Sequence, residues 1–333
     1  MPAVSRLACR EVARDIFQVR LPLPFALNHV NCYLLRDEDG WTVIDTALNY
    51  EPAIAGWRAA LAELSISPRA IRRVILTHMH PDHFGLCGWF QAQSGAAVYL
   101  SPRERDLAEY TWLHDIPTEE HRTAVLRYLH SGGISPEISA FIGKQQDRLR
   151  ELTLPHPARL CTIEAGATVK MGGRTFQAIH APGHADGQLL FYAAEDRLLL
   201  CGDQVLLHIT PNIGMWPTSE PNPLGRYLRS LDQLARLDVA LALPGHHDLI
   251  TNWQERIGEL VVHHEERLDA MYEAARAGAT ALDVSRMVFN FSKFSPHEVR
   301  FAVAETLAHL EYLAEAGVLV RVEERERRLY RAA

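Results

Sequence analysis

The stretch of sequence that decides the fold is Thr77-His78-Met79-His80-Pro81-Asp82-His83, which follows the apolar run Val74-Ile75-Leu76. On an extended backbone alternate side chains point to the same side, so the first two histidines can reach one ion together. The proline ends the strand and turns the chain, which lets Asp82 and His83 approach from another direction. Three imidazoles and a carboxylate within six residues are a typical ligand set for zinc, iron or a similar divalent ion.

Three later positions have the same character, because each directly follows a glycine after an apolar, strand-like run. These positions are His184, Asp203 and His246. Strand ends that face a common pocket are where α/β architectures place their ligands and catalytic groups. The pattern therefore predicts that these three side chains converge with the histidine motif.

Composition and charge restrict the class of protein. The chain has 333 residues, of which 47% are hydrophobic and 23% charged, as in a globular protein with a substantial core. No run reaches the ~18 consecutive apolar residues of a membrane span, so we expect no membrane partner. The five cysteines form no C-x-x-C pair, a pattern typical of reduced thiols, which predicts a cytoplasmic protein. With a net charge of −7, the chain would need a local basic patch to bind nucleic acid.

Two domains are expected from the distribution of helix and strand signals. Short strand-like runs alternate with helical segments up to residue 252, and beyond it the composition turns helical. We therefore place one domain at 1–252 and a helical domain at 253–333. A helix-forming insertion at about 102–155 interrupts the first domain. Two interpretations of the insertion stay open, namely packing on an edge of the core and a lid over a substrate pocket.

The carboxy-terminal domain ends in a helix and a hairpin signal. Ser295-Pro296-His297-Glu298 combines a capping box with a proline at the first helical position, and the helix stops at Gly317. Two short β-type runs follow, at Val318–Val322 and Leu329–Arg331. Helices followed by such a two-stranded wing predict a winged-helix-like domain.

The series of ligand-type residues resembles the ligand pattern of the metallo-β-lactamase superfamily. Its members in this chain are His78, His80, Asp82, His83, His184, Asp203 and His246. Asp45, which follows an apolar run, looks like the first motif of that superfamily. The resemblance implies an α/β (α+β) fold, a four-layer αβ/βα sandwich of two mixed sheets, with 1–252 as the catalytic domain. The tail is similar to the winged-helix-like extension of the lactamase-beta-2-like branch.

Carried over residue by residue, the resemblance implies a centre of two divalent metal ions. The implied ligands are His78, His80 and His184 for the first ion, Asp82, His83 and His246 for the second, and Asp203 as the bridge. Zinc is the expected metal, with iron or manganese as alternatives that the same ligand types accept. Asp45 is expected to be structural and to hold the histidine motif by hydrogen bonds.

The expected mechanism follows from the chemistry of such ions. A bound divalent metal lowers the pKa of water from about 16 to about 7, and two ions about 3.5–4 Å apart can share the resulting hydroxide. Asp82 is expected to orient that hydroxide as a catalytic residue. His208, five residues after Asp203, is the catalytic candidate for protonating the leaving group, and His247 is an alternative. Either histidine can instead serve to orient ligands.

The predicted activity is metal-dependent hydrolysis of a small ester, thioester, lactone or amide. Three alternatives stay open: a nuclease acting on single-stranded RNA, a persulfide-type iron oxygenase, and a DNA-binding regulator with a vestigial domain. Charge argues against nucleic acid, because the helix at 296–317 carries four glutamates against one arginine. The wing has five arginines against three glutamates, which is a modest excess. We expect a small-molecule substrate and a tail that packs on the catalytic domain, borders the pocket or forms a homodimer.

Overall fold

The amino-terminal part of the chain forms a seven-stranded mixed sheet in the computed structural model, which describes residues 9–113, 119–324 and 326–333. Its strands lie side by side in chain order, with β1 to β4 antiparallel and β4 to β7 parallel. Their bounds are β1 (Cys9–Ala13), β2 (Ile16–Pro22), β3 (His29–Asp37), β4 (Gly40–Ile44), β5 (Ile71–Ile75), β6 (Ala97–Leu100) and β7 (Leu160–Thr162). Strand β5 leads into the histidine motif and lies in the parallel half of this sheet.

A second sheet of five strands packs against the first. Its strands follow the order β12-β11-β10-β9-β8, and only β11 and β12 are parallel to each other. Their bounds are β8 (Thr168–Met171), β9 (Arg174–His180), β10 (Leu189–Ala193), β11 (Leu198–Gly202) and β12 (Leu241–Pro244). This sheet supplies the strand ends before His184, Asp203 and His246.

Ten α-helices connect and flank the sheets in the described part of the chain. Their bounds are α1 (Glu51–Glu63), α2 (Pro81–Phe84), α3 (Cys87–Ser94), α4 (Pro102–Ala108), α5 (Glu119–Ser131), α6 (Pro136–Glu151), α7 (Pro223–Leu234), α8 (Trp253–Ala275), α9 (Ala281–Val288) and α10 (Pro296–Glu315). No helix of residues 9–113, 119–324 and 326–333 combines the length and apolarity that crossing a bilayer requires.

The layers follow from the alternation of apolar side chains along each strand. In β3, Leu34 packs in the core beneath α1 and α3, whereas Leu35 packs between the two sheets. In β10, Leu190 packs beneath α7 and α8, whereas Leu189 and Phe191 face the first sheet. Helices therefore cover both outer faces, and the predicted four-layer αβ/βα sandwich is confirmed.

The helical insertion divides its contacts between two parts of the molecule. Helix α4 and the π-helical turn Glu109–Leu113 lie against the sandwich, where Trp112 is buried in the first core. Helices α5 and α6 instead bury Leu129 and Ile142 in a core shared with Leu307 of α10. Packing on an edge of the core, one of the two interpretations, therefore accounts for only the first part of the insertion.

The carboxy-terminal helices and a three-stranded antiparallel sheet form the last part of the chain. The sheet has the order β13-β15-β14, with bounds β13 (Ala279–Thr280), β14 (Leu319–Glu324) and β15 (Arg327–Ala332). The predicted hairpin is present as β14 and β15, whereas β13 was not expected. The capping box at Ser295 is also present, with Glu298 bonding back to Ser295. Helix α8 contributes its first half to the sandwich and its second half to the carboxy-terminal core.

Candidate metal centre

The seven predicted ligands meet at one end of the sandwich, because each follows the end of a strand. The histidine motif follows β5 of the first sheet. The other three ligands follow β9, β11 and β12 of the second sheet, so both sheets contribute to the centre. The convergence expected from strand ends is therefore present in the structure.

The first cluster consists of His78, His80 and His184, whose ligand atoms all lie within 4.8 Å of one another. The centroids of the His78 and His80 rings are 4.5 Å apart, and those of His80 and His184 are 4.7 Å apart. His78 is completely buried, while His80 and His184 are half-buried. Three imidazoles thus face one point. The predicted convergence of His78 and His80 is present, but both lie in the loop after β5, which ends at Ile75, and not on an extended strand.

The second cluster consists of Asp82, His83 and His246, whose ligand atoms also lie within 4.8 Å of one another. Asp82 Oδ2 is 3.3 Å from His246 Nε2 and 4.0 Å from His83 Nε2. Pro81 does more than turn the chain, because it begins the one-turn helix α2 that carries Asp82 and His83. Both histidines of this cluster are completely buried.

Asp203 lies between the two clusters. Its Oδ2 atom is 3.2 Å from His246 Nε2, 3.4 Å from His83 Nε2 and 3.7 Å from His184 Nε2. Gly245 makes this approach feasible, because a Cβ atom there would lie 2.2 Å from Asp203 Oδ1. A carboxylate in contact with both clusters has the placement of a bridging ligand.

Hydrogen bonds at Nδ1 fix the orientation of four of the imidazoles. The acceptors are the Asn212 carbonyl for His184 (3.0 Å), the His29 carbonyl for His246 (2.7 Å), Asp45 Oδ2 for His83 (2.9 Å) and Thr77 Oγ1 for His78 (2.9 Å). An imidazole that donates from Nδ1 carries its lone pair on Nε2 when neutral. The Nε2 atoms of all four are buried and have no hydrogen-bond partner among the described residues. Buried polar atoms without partners are rare, and these four point at the two clusters, so the side chains fit a bound cation.

Asp45 holds the histidine motif in place, as predicted. Its carboxylate accepts hydrogen bonds from the Thr77 N–H (2.8 Å), the Thr77 hydroxyl (2.9 Å) and His83 Nδ1 (2.9 Å). Asp45 itself is buried and has a φ of 57°, in the left-handed region. This backbone conformation is sparsely populated by non-glycine residues and is kept where surrounding contacts compensate.

The two clusters differ in the pKa values of their histidines. Burial, together with the nearby His184, lowers the pKa of His80 to about 3. Burial also lowers the pKa of His78 and of His184. Burial opposes protonation of His246 as well, but the carboxylates of Asp203 and Asp82 outweigh it and raise its pKa to about 10. The first cluster is therefore neutral, and the second pairs carboxylates with imidazoles that hold protons.

The two candidate proton donors lie outside both clusters. His208 is 56% exposed, and its Nε2 is 3.2 Å from Asp248 Oδ2. His247 follows a cluster member directly, and its ring centroid is 5.9 Å from that of His208. Its backbone N–H donates to His29 Nε2 at 3.1 Å. The structure does not bring His208 into contact with the cluster side chains.

Sequence reasoning missed the groups that position the cluster residues by hydrogen bonds. Glu104 accepts hydrogen bonds from the backbone N–H groups of Met79 and Gly187, and the carbonyls of Asn212 and His29 accept from cluster histidines. Glu104 lies three residues after Ser101, so the sequence suggests only a local helix cap, and Ser101 does cap α4. The two carbonyls leave no side-chain signature at all.

Two family profiles match the chain and account for most of its length. Residues 26–246 match the profile described as "Metallo-beta-lactamase superfamily". Residues 268–331 match the profile described as "Metallo-beta-lactamase-like, C-terminal domain".

Known proteins and solved structures resemble the chain over most of its length. "Probable metallo-hydrolase YqjP" of Bacillus subtilis is 26% identical, over 90% of this chain and 92% of that protein. "Atrochrysone carboxyl ACP thioesterase AgnL7" of Paecilomyces divaricatus is 27% identical, over 70% of this chain and 55% of that protein. The crystal structure of metallo-beta-lactamase family protein TTHA1429 from Thermus thermophilus superposes with a TM-score of 0.86. That match covers 97% of this chain and all of the other, at 33% identity. The chain therefore belongs to the metallo-β-lactamase superfamily and is a hydrolase of that superfamily.

Proposed function

We propose that the centre is dinuclear and that the enzyme hydrolyses small acyl substrates, with thioesters as the leading class. In this proposal the first cluster holds one ion, the second cluster holds another, and Asp203 contacts both. The observation that carries it is that the Nε2 atoms of four cluster histidines (His78, His83, His184 and His246) are buried, point at the clusters and have no hydrogen-bond partner among the described residues. Divalent ions bound there would supply an activated water and stabilise negative charge on the substrate oxygen.

The chain's own residues have separate tasks in this proposal. Asp82 is the catalytic residue that orients the attacking water. Its side chain is 15% exposed and therefore accessible to water, whereas the side chains of His83 and His246 are completely buried. The Nδ1 hydrogen bonds keep the imidazoles in the orientation that ligation requires. We propose His208 as the proton donor. Because His208 is exposed and pairs with Asp248, the substrate's leaving group would have to extend to this surface.

The choice of thioesters draws on a relative and on the shape of the surface. A 27% identical relative is named an ACP thioesterase, although this chain spans only 55% of that protein. A cleft of about 320 Å³ is lined by Arg103, Asp106, Leu107, Tyr110 and Thr218, none of which belongs to either cluster. One lining residue is connected to the loop of the first cluster, because Arg103 donates a hydrogen bond to Asp186, two residues after His184. We propose that this cleft takes the acyl or leaving group of the substrate.

Cleavage of nucleic acid is less well supported than acyl hydrolysis. A winged-helix-like domain binds DNA by an exposed recognition helix, and α10 is the corresponding helix here. No residue from 298 to 314 of this helix is exposed, because it packs against α8, α9 and the insertion. We propose that the carboxy-terminal domain is winged-helix-like. In this proposal it packs on the catalytic domain and borders the substrate site. The expected homodimer stays a prediction.

Metal and compartment are also proposals. We propose zinc, because imidazole and carboxylate ligands suit it, with iron, as in a persulfide-type oxygenase, or manganese as alternatives. The proposed cytoplasmic location rests on the thiols of Cys9, Cys32, Cys87, Cys161 and Cys201, none of which is paired in the structure.

One experiment tests the proposed function. Protein with its metal content measured is assayed against acyl thioesters, lactones, a β-lactam and single-stranded RNA, with and without a chelator. We expect thioester hydrolysis that the chelator abolishes and added zinc restores. RNA cleavage without acyl hydrolysis would favour the nuclease, and oxygen consumption with a persulfide by iron-loaded protein would favour the oxygenase.

A further inference from the structure

One buried carboxylate joins the two loops that carry the first cluster. Glu104 on α4 has no exposed surface. Its Oε2 accepts the Met79 N–H at 2.8 Å, and its Oε1 accepts the Gly187 N–H at 2.7 Å. Met79 lies between His78 and His80, and Gly187 is three residues after His184. The same side chain therefore fixes the backbone on both sides of the first cluster.

Other contacts of the insertion support this arrangement. Trp112 Nε1 donates to the Met79 carbonyl at 2.8 Å, so both backbone polar groups of Met79 are held by insertion residues. Gly187 approaches α4 closely, since a Cβ there would lie 2.6 Å from Ser101 Oγ and 2.7 Å from Arg103 Cβ. The start of the insertion therefore contacts both the loop that contains Met79 and the loop that contains Gly187.

We propose that Glu104 is a positioning residue of the first cluster, which sets the separation and orientation of His78, His80 and His184 for binding an ion. The proposal rests on the proposed function in that the cluster binds metal. A carboxylate suits this position because each of its two oxygens accepts one backbone N–H, and these bonds favour the ionised form although burial raises the pKa of Glu104 to about 7. An amide has a single acceptor oxygen, and its NH₂ group would face a backbone N–H.

The alternative is that Glu104 only anchors the insertion on the sandwich. In that case its loss lowers the stability of the fold and leaves the metal affinity of the folded protein unchanged. The two roles differ in a measurement of metal binding, which requires no substrate and no turnover.

The test is a cobalt titration of demetallated Glu104→Gln, followed by the visible absorption of bound Co²⁺. The steps of the titration are assigned with His80→Ala for the first cluster and Asp82→Ala for the second. We expect Glu104→Gln to weaken the step that His80→Ala removes by about 10–100-fold, the usual cost of losing a group that orients ligands. Glu109→Gln is the matched control, because Glu109 is exposed on the adjacent π-helical turn.

The results separate the possibilities cleanly. If Glu104→Gln binds cobalt like the unmodified protein and only its Tm falls, the positioning role is wrong. If the unmodified protein binds no cobalt, the proposed function itself fails. Should Glu104→Gln not fold, Trp112→Phe removes the other bond to Met79 and keeps an aromatic ring. We then expect a several-fold weakening of the same step, and an unchanged affinity in Trp112→Phe would equally overturn the proposal.

Discussion

The two clusters of the metal centre are built from similar side chains, yet they differ in charge. The first cluster is three imidazoles, and the pKa of His80 there is lowered to about 3 by burial and by the nearby His184. The second cluster includes a carboxylate and lies against Asp203, and the pKa of His246 is raised to about 10. An ion at the first cluster meets free lone pairs, whereas an ion at the second must displace protons.

The supports of the two clusters differ as well. The first is held by contacts from the insertion and from the loop that contains Asn212. The second is held by Asp45 and by the His29 carbonyl, which both belong to the first sheet and its adjoining turn. The first cluster therefore depends on segments outside the sandwich as well as on Asp45, which reaches His78 through Thr77, whereas the second is held from the sandwich alone.

Removing a ligand of the first cluster should have the largest effect. We expect His80→Ala to retain the fold, to lose one bound ion and to reduce kcat/KM by about 1,000-fold or more, because a catalytic ion supplies several kcal/mol of transition-state stabilisation. Metal content and hydrolysis are measured on the same sample. His263→Ala, at a half-buried histidine of α8 outside both clusters, is the control. Full activity in His80→Ala would refute the metal mechanism.

The charge difference predicts that pH acts on the two clusters unequally. The pKa of His246 is raised to about 10, and the carboxylates around His83 hold its pKa above its usual value against the opposing effect of burial. His246 therefore carries a proton in the metal-free protein at pH 6–8, and the raised pKa of His83 favours its protonated form. Each displaced proton lowers metal affinity about tenfold per pH unit of acidification. His80 is already neutral in that range.

Calorimetric titration of metal in buffers of different ionisation enthalpy counts the protons released. We expect one or two for the ion at the second cluster and none for the ion at the first. Equal proton release at both steps would show that the contrast between the clusters is wrong.

Asp45 offers a way to weaken both clusters from one position. Asp45→Asn replaces one of two acceptor oxygens by an NH₂ group, so hydrogen bonds that orient Thr77 and His83 are lost. We expect a loss of about 10–100-fold in metal affinity, with the greater part at the second cluster. Asp39→Asn, at an exposed turn residue, is the control. If Asp45→Asn binds metal as tightly as the unmodified protein, Asp45 does not position the cluster residues.

The smallest effect is expected from the carboxy-terminal domain. Glu305 Oε2 accepts a hydrogen bond from Asn212 Nδ2 at 3.0 Å, and the Asn212 carbonyl orients His184. We expect Glu305→Ala to lower kcat/KM several-fold through the first cluster, while Glu315→Ala on the same helix leaves it unchanged. Equal kcat/KM values for the two variants would show that α10 does not influence the centre.

Much of the fold follows from the sequence, because strand alternation and the spacing of the histidine motif are local signals. The four-layer sandwich and the terminal hairpin are both present, and the candidate ligands converge. The partner of α5 and α6 was not predictable, since Leu129 and Ile142 pack on helices more than a hundred residues later in the chain. Apolar periodicity shows that a face is buried, but it does not identify what covers the face.

The supports of the site were hidden for a related reason. The Nδ1 acceptors of His184 and His246 are backbone carbonyls, which every residue possesses. Glu104 occupies the third position of a helix, where glutamate is common for local reasons, and its contacts with Met79 and Gly187 depend on tertiary structure. His208, by contrast, was selected for its closeness in sequence to Asp203, and its side chain is exposed and pairs with Asp248.

The central claim is that seven side chains from both sheets bind two divalent ions that hydrolysis requires. The most direct test is elemental analysis of the purified protein, combined with thioester turnover before and after rigorous demetallation. The account predicts about two ions per chain, loss of turnover with their removal, and recovery as the second equivalent is restored. A demetallated protein that still hydrolyses substrate at its original rate would contradict it.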